Sequence, residues 1–322
     1  MLYDIATDSW TSISSSNYPR SEHTAVSGGY VLGGRLDNGA CTPACLERYE
    51  LLTDSWSVLA APPVPAWTYI GRPLPNIWHP SSTSLDGFLY VCTDDGSGDA
   101  TKVAVTIAGM CWKYDMTHDE WAIIASPPAG YGGPSGAMTT VAPYVYLLGG
   151  QETYNWRAGK TTVARYDPVS DSWSKVSEMA IGRHALGAVA IDQCIYVLGT
   201  SVSPPYGSME RYNTTTDSWS RLGDPPFTTA DVATDGVYIY QLQSVGHSPS
   251  MLYMQRYDPA SATWSVLSST TYSWGSYGFS AVWSCTPGYV VIQDSCTLKT
   301  CTCDNGNGAS GTSCPTHGSE KC

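Results

Sequence analysis

Six phrases with Tyr and Trp seven residues apart run through the chain and limit what it can fold into. They are YDIATDSW (3–10), YELLTDSW (49–56), YDMTHDEW (114–121), YDPVSDSW (166–173), YNTTTDSW (212–219) and YDPASATW (257–264). Successive tryptophans, Trp10, Trp56, Trp121, Trp173, Trp219 and Trp264, are 46, 65, 52, 46 and 45 residues apart. A period in the mid-forties suits a unit of four short strands and four turns. Each phrase reads as strand, tight turn, strand. An Asp, Asn or Glu follows the Tyr, and Asp or Asn can bond the backbone two residues on. An apolar residue stands three places after every Trp (Ile13, Leu59, Ile124, Val176, Leu222, Leu267). A Trp recurring in this way is expected to pack between neighbouring sheets.

Between the phrases lies a looser hairpin pattern: TAVSGGYVLGG (24–34), STSLDGFLYVCTDD (82–95), GAMTTVAPYVYLLGG (136–150), LGAVAIDQCIYVLGT (186–200), DVATDGVYIYQLQ (231–243) and FSAVWSCTPGYVVIQD (279–294). The repeats open with a Tyr-to-Trp half and end with a hairpin half. Residues 1–13 and 279–294 are therefore expected to complete one sheet and close a ring of six, leaving only short, protected edges. The reading is all-β: a six-bladed propeller over 1–294, followed by a Cys-rich, Gly/Ser-rich tail over 295–322. Composition agrees, with 31 Gly, 21 Pro, 22 Tyr and 12 Trp.

Gly-Gly after an apolar strand, then Tyr-Asp, then Trp, resembles the kelch repeat, and the resemblance covers about residues 1–294. The double glycine stands at Gly33-Gly34 and Gly149-Gly150, becomes Gly199-Thr200 in one repeat, and is lost in three others. The resemblance implies a binding scaffold whose partner is a protein or peptide held by variable loops at one end of the channel. On that basis Tyr154, Trp156 and Arg157 in one loop, and Trp67, Arg72 and Trp78 in the long link 64–80, are partner-binding candidates, since exposed aromatics and Arg supply most interface hot spots. The competing reading has these aromatics packing their own loops. Arg20 and Arg183 precede inner strands. They either line the channel mouth, as similarly placed arginines do in some kelch domains, or are satisfied by carbonyls between blades.

The net charge of −12 with no basic cluster argues against nucleic acid as a partner. No apolar stretch approaches the roughly 20 residues of a bilayer span. Oligomeric state is not legible. Some kelch-like propellers are copper oxidases or carbohydrate-active enzymes, and others use iron. Copper chemistry wants imidazole at the metal, and the six histidines form no ligand-like pair. The expectation is therefore a non-enzyme without cofactor or metal.

The eleven cysteines bear on compartment. Cys41 with Cys45, Cys92 with Cys111, and Cys285 with Cys296 are disulfide candidates, and Cys194 reads as an unpaired core residue. The tail resembles the opening of small Cys-rich modules of secreted proteins. Zinc is the competing reading, but Cys301-x-Cys303 is tighter than the usual structural-zinc spacing. Asn213-Thr214-Thr215 is a glycosylation sequon. These features favour an extracellular setting, although no signal peptide is visible at the N-terminus. The cytoplasmic alternative is the recognition domain of a BTB–kelch ubiquitin-ligase adaptor.

Overall fold

The structure is a computed structural model. It describes residues 2–33, 46–61, 80–93, 110–199, 208–226, 231–245 and 250–272, apart from 6, 19–22, 27, 133, 134, 153 and 154, together with short strands after residue 288. Within these residues the chain is all β.

Five four-stranded antiparallel blades follow one another. The first is β3 (Thr24–Val26), β4 (Tyr30–Leu32), β5 (Leu46–Glu50) and β6 (Ser55–Leu59). The second is β7 (Ser81–Leu85), β8 (Phe88–Thr93), β9 (Met110–Asp115) and β10 (Glu120–Ile124). The third is β11 (Ala137–Val141), β12 (Tyr144–Leu148), β15 (Val163–Asp167) and β16 (Ser172–Lys175), with the hairpin β13 (Gln151–Glu152) and β14 (Asn155–Gly159) inserted after its second strand. The fourth is β17 (Gly187–Ile191), β18 (Cys194–Leu198), β19 (Glu210–Asn213) and β20 (Ser218–Arg221). The fifth is β21 (Val232–Thr234), β22 (Ile239–Val245), β23 (Ser250–Asp258) and β24 (Thr263–Tyr272).

Six blades are expected from the sequence and five complete ones are seen. The remaining phrase forms a two-stranded sheet, β1 (Leu2–Asp4) with β2 (Ser9–Thr11). It docks beside the fifth blade, where Tyr3 and Trp10 pack on Tyr240, Leu242, Leu252 and Met254. Its expected complement is only partly visible. Residues 279–288 lie outside the described residues, and β25 (Tyr289–Ile292) pairs with β26 (Ser295–Leu298) rather than with β1. That hairpin also crosses the expected boundary at 294.

Tyr and Trp of each phrase are direct cross-strand partners, and their ring centroids lie 5.0 Å apart in Tyr166–Trp173 and Tyr212–Trp219. Such aromatic pairs contribute beyond their buried area. The second residue of the phrase caps the turn, its side-chain oxygen accepting the N–H two residues on: Asp115 from Thr117, Asp167 from Val169, Asn213 from Thr215 and Asp258 from Ala260.

The sixth residue of the phrase joins the blades. Asp8, Asp54, Asp119, Asp171 and Asp217 all have left-handed backbones, with φ between 47° and 56°. In each, one carboxylate oxygen accepts the phrase's own Tyr hydroxyl. The same oxygen accepts a backbone N–H from the preceding unit: Ser268, Ser14, Ala60, Ala125 and Ser177 respectively. The phrase's Trp then donates its indole N–H to the carbonyl of that same residue. The residue clasped always stands four places after the preceding Trp. Because Trp10 and Asp8 hold Ser268, β1–β2 occupies a position in the ring between the fifth and first blades.

The apolar cores lie between blades. One joins Ala137, Val141, Tyr146 and Leu148 of the third blade to Ile195, Val197 and Tyr212 of the fourth. Others join the first to the second and the second to the third.

Candidate functional site: the rim of the long connections

Antiparallel pairing puts the turns between strands one and two, and three and four, at one end of each blade. The connections between strands two and three, and from one blade to the next, leave at the other end. The first end carries tight turns, such as Asp86-Gly87 and Asp192-Gln193. The second is where the connections 34–45, 62–79, 94–109, 200–207 and 246–249 depart, and these lie outside the described residues.

Of the connections between second and third strands, the one that is largely described is the β13–β14 hairpin. Its base is tied to the segment that leads into the fourth blade. Lys160 N–H donates to Gly150 O at 2.8 Å, Gly150 N–H to Arg183 O at 2.9 Å, and Arg183 N–H to Lys160 O at 2.9 Å. The Lys160 ammonium donates to Gly132 O. The approach is too close for side chains: a Cβ on Gly182 would lie 2.2 Å from Gly159 O, and one on Gly159 would lie 2.4 Å from the Arg183 backbone. Trp156 and Arg157 stand in β14, whose C-terminal end is held by these contacts. Tyr154, Trp67, Arg72, Trp78 and Arg20 lie outside the described residues.

Arg183 takes the second of its two readings. Its side chain is 0% exposed. Nε donates to Glu210 Oε2 at 3.2 Å, Nη1 to Gly199 O at 2.8 Å and Ser208 O at 2.7 Å, and Nη2 to Ser208 Oγ at 2.8 Å and Glu210 Oε2 at 2.9 Å. All five guanidinium donors are used within the chain, so it has none to offer a partner. Burial lowers its pKa, and the bonds to Glu210 oppose that shift. The other carboxylate oxygen of Glu210 accepts the Ala180 N–H at 2.9 Å.

The sequence reading missed Lys160, Gly150, Gly159, Gly182 and Glu210. The signal was present in part. Glu47 and Glu210 both precede Arg-Tyr, and both are buried, with Glu47 accepting the Asn17 N–H at 2.9 Å.

Among the remaining candidates, Cys92 and Cys111 form a disulfide across β8 and β9, with Cα atoms 4.2 Å apart. They are paired in strand register, which brings two Cβ atoms within bridging reach. Cys194 is a free, half-buried thiol packed on the core between the fourth and fifth blades. Cys41, Cys45 and Cys285 lie outside the described residues, and Cys296 stands in β26 opposite Val291. Asn213 is half-buried, its side-chain oxygen held by the N–H groups of Thr215 and Thr216. Among the described residues no group of three His, Cys, Asp or Glu side chains is placed to hold a metal. No helix among the described residues is long and apolar enough to cross a membrane.

A ring of antiparallel blades clasped by Tyr, Asp and Trp, with its long connections at one end, defines a repeat β-propeller. The Kelch motif model matches residues 182–226, which is the fourth blade with its Arg183 lead-in. Kelch-like protein terF of Aspergillus terreus is 27% identical over 271 residues, covering 77% of this chain and 55% of that protein. Kelch-like protein 25 of Xenopus tropicalis is 24% identical over 282 residues, covering 84% and 44%. Beta-scruin of Limulus polyphemus is 23% identical over 235 residues, covering 70% and 24%. The fourth blade thus matches a kelch motif, and the chain is similar to kelch-repeat proteins over most of its length. It spans about half the length, or less, of these relatives.

Proposed function

We propose that the propeller is a non-catalytic scaffold that binds a protein or peptide through the rim of long connections. The observation that supports this most is the β13–β14 hairpin. It carries Trp156 and Arg157, and its base is locked to the lead-in of the next blade by three backbone hydrogen bonds. Anchoring the base of a hairpin that carries aromatic and Arg residues lowers the ordering cost of binding. We assign Tyr154, Trp67, Arg72, Trp78 and Arg20, which lie in sequence between second and third strands or between blades, to the same surface. Arg183 is left out of it.

The test is site-specific photo-crosslinking in extracts of the producing cells. The crosslinker would stand at position 152 on the rim, or at Val169, which is 93% exposed on a turn between third and fourth strands. Adducts to a discrete polypeptide from the rim, lost in Trp156→Ala/Arg157→Ala, would support the reading. Equal labelling from Val169, or adducts indifferent to the double substitution, would remove it.

We also propose an oxidising, extracellular setting, with the cysteines after 295 belonging to a disulfide-rich module. The Cys92–Cys111 bridge supports this, since such bonds persist in oxidising compartments. Counting free thiols in the native protein tests it, and mostly free cysteines would overturn it.

A further inference from the structure

We propose that the ring is built to open at one place, the seam between the fourth and fifth blades. Every other seam around the ring is clasped by an Asp carboxylate and an indole N–H, and this one has lost both. The sixth phrase reads YDPASATW, so Ala262 stands where the other five have Asp. Ala262 still takes the left-handed backbone, with φ of 54°, but carries no carboxylate to use it. By the spacing that holds at the other seams, its partner would be Gly223, four residues after Trp219. Nothing lies within 4 Å of a Cβ built on Gly223, so the place is open.

Two further groups at this seam lack partners. The indole N–H of Trp264 is buried and has no hydrogen-bond partner, whereas the five other repeat tryptophans donate across their seams. Gln255 holds the position of Glu47 and Glu210, which accept N–H groups from Asn17 and Ala180, each seven residues after a repeat Trp. The corresponding residue here is Pro226, which has no N–H to give. The side-chain oxygen of Gln255 is accordingly buried without a partner.

What holds the seam is apolar: Val189, Ile191, Tyr196, Leu198 and Met209 against Ile239 and Tyr257, with Leu222 and Trp264 beside them. Such packing is non-directional and fixes neither register nor separation as hydrogen bonds do. The blade-to-blade link at this seam leaves at the rim of the long connections. Opening here would part the fourth blade from the fifth while the other blades stay clasped.

Amide hydrogen exchange on the full chain at neutral pH tests the proposal. In the unaltered protein, peptides from β20, β21 and β24 should exchange about tenfold faster than peptides from β10, β11 and β16, the change one or two hydrogen bonds bring. Ala262→Asp, at a φ that five other Asp residues adopt, should slow exchange in the first set by about tenfold and leave the second set unchanged. Asp217→Ala should make a second fast seam between the third and fourth blades. Uniform exchange across all seams in the unaltered chain would overturn the proposal. So would an Ala262→Asp protein whose profile matches the original while Asp217→Ala does respond.

Discussion

The seams on either side of the fourth blade have similar cores and different polar contacts. Towards the third blade, Ile195, Val197 and Tyr212 meet Ala137, Tyr146 and Leu148. Towards the fifth, Val189, Tyr196 and Leu198 meet Ile239 and Tyr257. The first seam adds the Asp217 clasp, the Trp219 indole bond and the Glu210 carboxylate on Ala180. The second adds none of these among the described residues. Burial brings blades together, and hydrogen bonds that only one arrangement can satisfy decide how rigidly they are held.

The largest way to break this contrast is Arg183→Ala. Glu210 would stay buried, at 1% exposure, with its countercharge gone. Losing one partner of a buried ion pair costs about 3–5 kcal/mol. Urea unfolding should show that loss, and a cost below about 1 kcal/mol would mean that the pair relaxes into water.

Next is a paired truncation. Trp219→Ala should cost about 3 kcal/mol, the low end for a large aromatic because the ring is half-buried. Trp264→Ala should cost about 1 kcal/mol less, since no indole hydrogen bond is lost with it. Equal costs would deny that the seams differ.

Acid offers a third, graded test. Hydrogen bonds from Tyr212 and Ser177 hold the Asp217 carboxyl below its ordinary value, as those from Ser14 and Tyr49 do for Asp54 and those from Ala125 and Tyr166 for Asp171. A carboxylate with a depressed folded-state pKa contributes stability above its unfolded value, and loses it as pH falls through the folded one. The melting temperature should therefore drop as pH falls below about 3.8, the ordinary Asp value. Asp217→Ala should flatten that drop, and Ala262→Asp should steepen it. Identical acid profiles would remove the carboxylates from the account.

The smallest effect concerns the fifth blade alone. Asp231 precedes β21, and burial pushes its carboxyl up to about 7. A raised carboxyl costs stability as pH rises from its unfolded value through the folded one. Asp231→Asn should melt higher than the original chain at pH 8, and the two should converge towards pH 4. A constant offset at both pH values would show that the charge is not the cause.

Much of this fold was legible in the chain. The Tyr-to-Trp spacing fixes strand, turn and strand, because those residues are direct cross-strand partners. The hairpins at 24–34, 136–150 and 186–200 follow from alternation around turn residues. The Cys92–Cys111 bridge followed from its two strands being neighbours. The candidate rim was legible only as composition. Loop residues such as Trp156 and Arg157 have no period, and the features that anchor their hairpin are backbone bonds and close glycine contacts. Arg183 shows the same limit. Its neighbours in the chain suit a rim site, while Glu210 and Ser208, more than twenty residues on, make it a seam residue.

By itself, the sequence determined the repeat, its antiparallel blades, the aromatic pairs and the end at which long connections leave, because these depend on residues within one period of each other. Tertiary structure decided what joins the units: the carboxylate of each Asp reaching a neighbour's N–H, the burial of Arg183, and the seating of Trp10 on Ser268, 258 residues away. The exchange of Asp for Ala at 262 is visible in the sequence as one missing letter. Its consequence appears only when the partner across the seam is in place, because a hydrogen bond is a property of two groups.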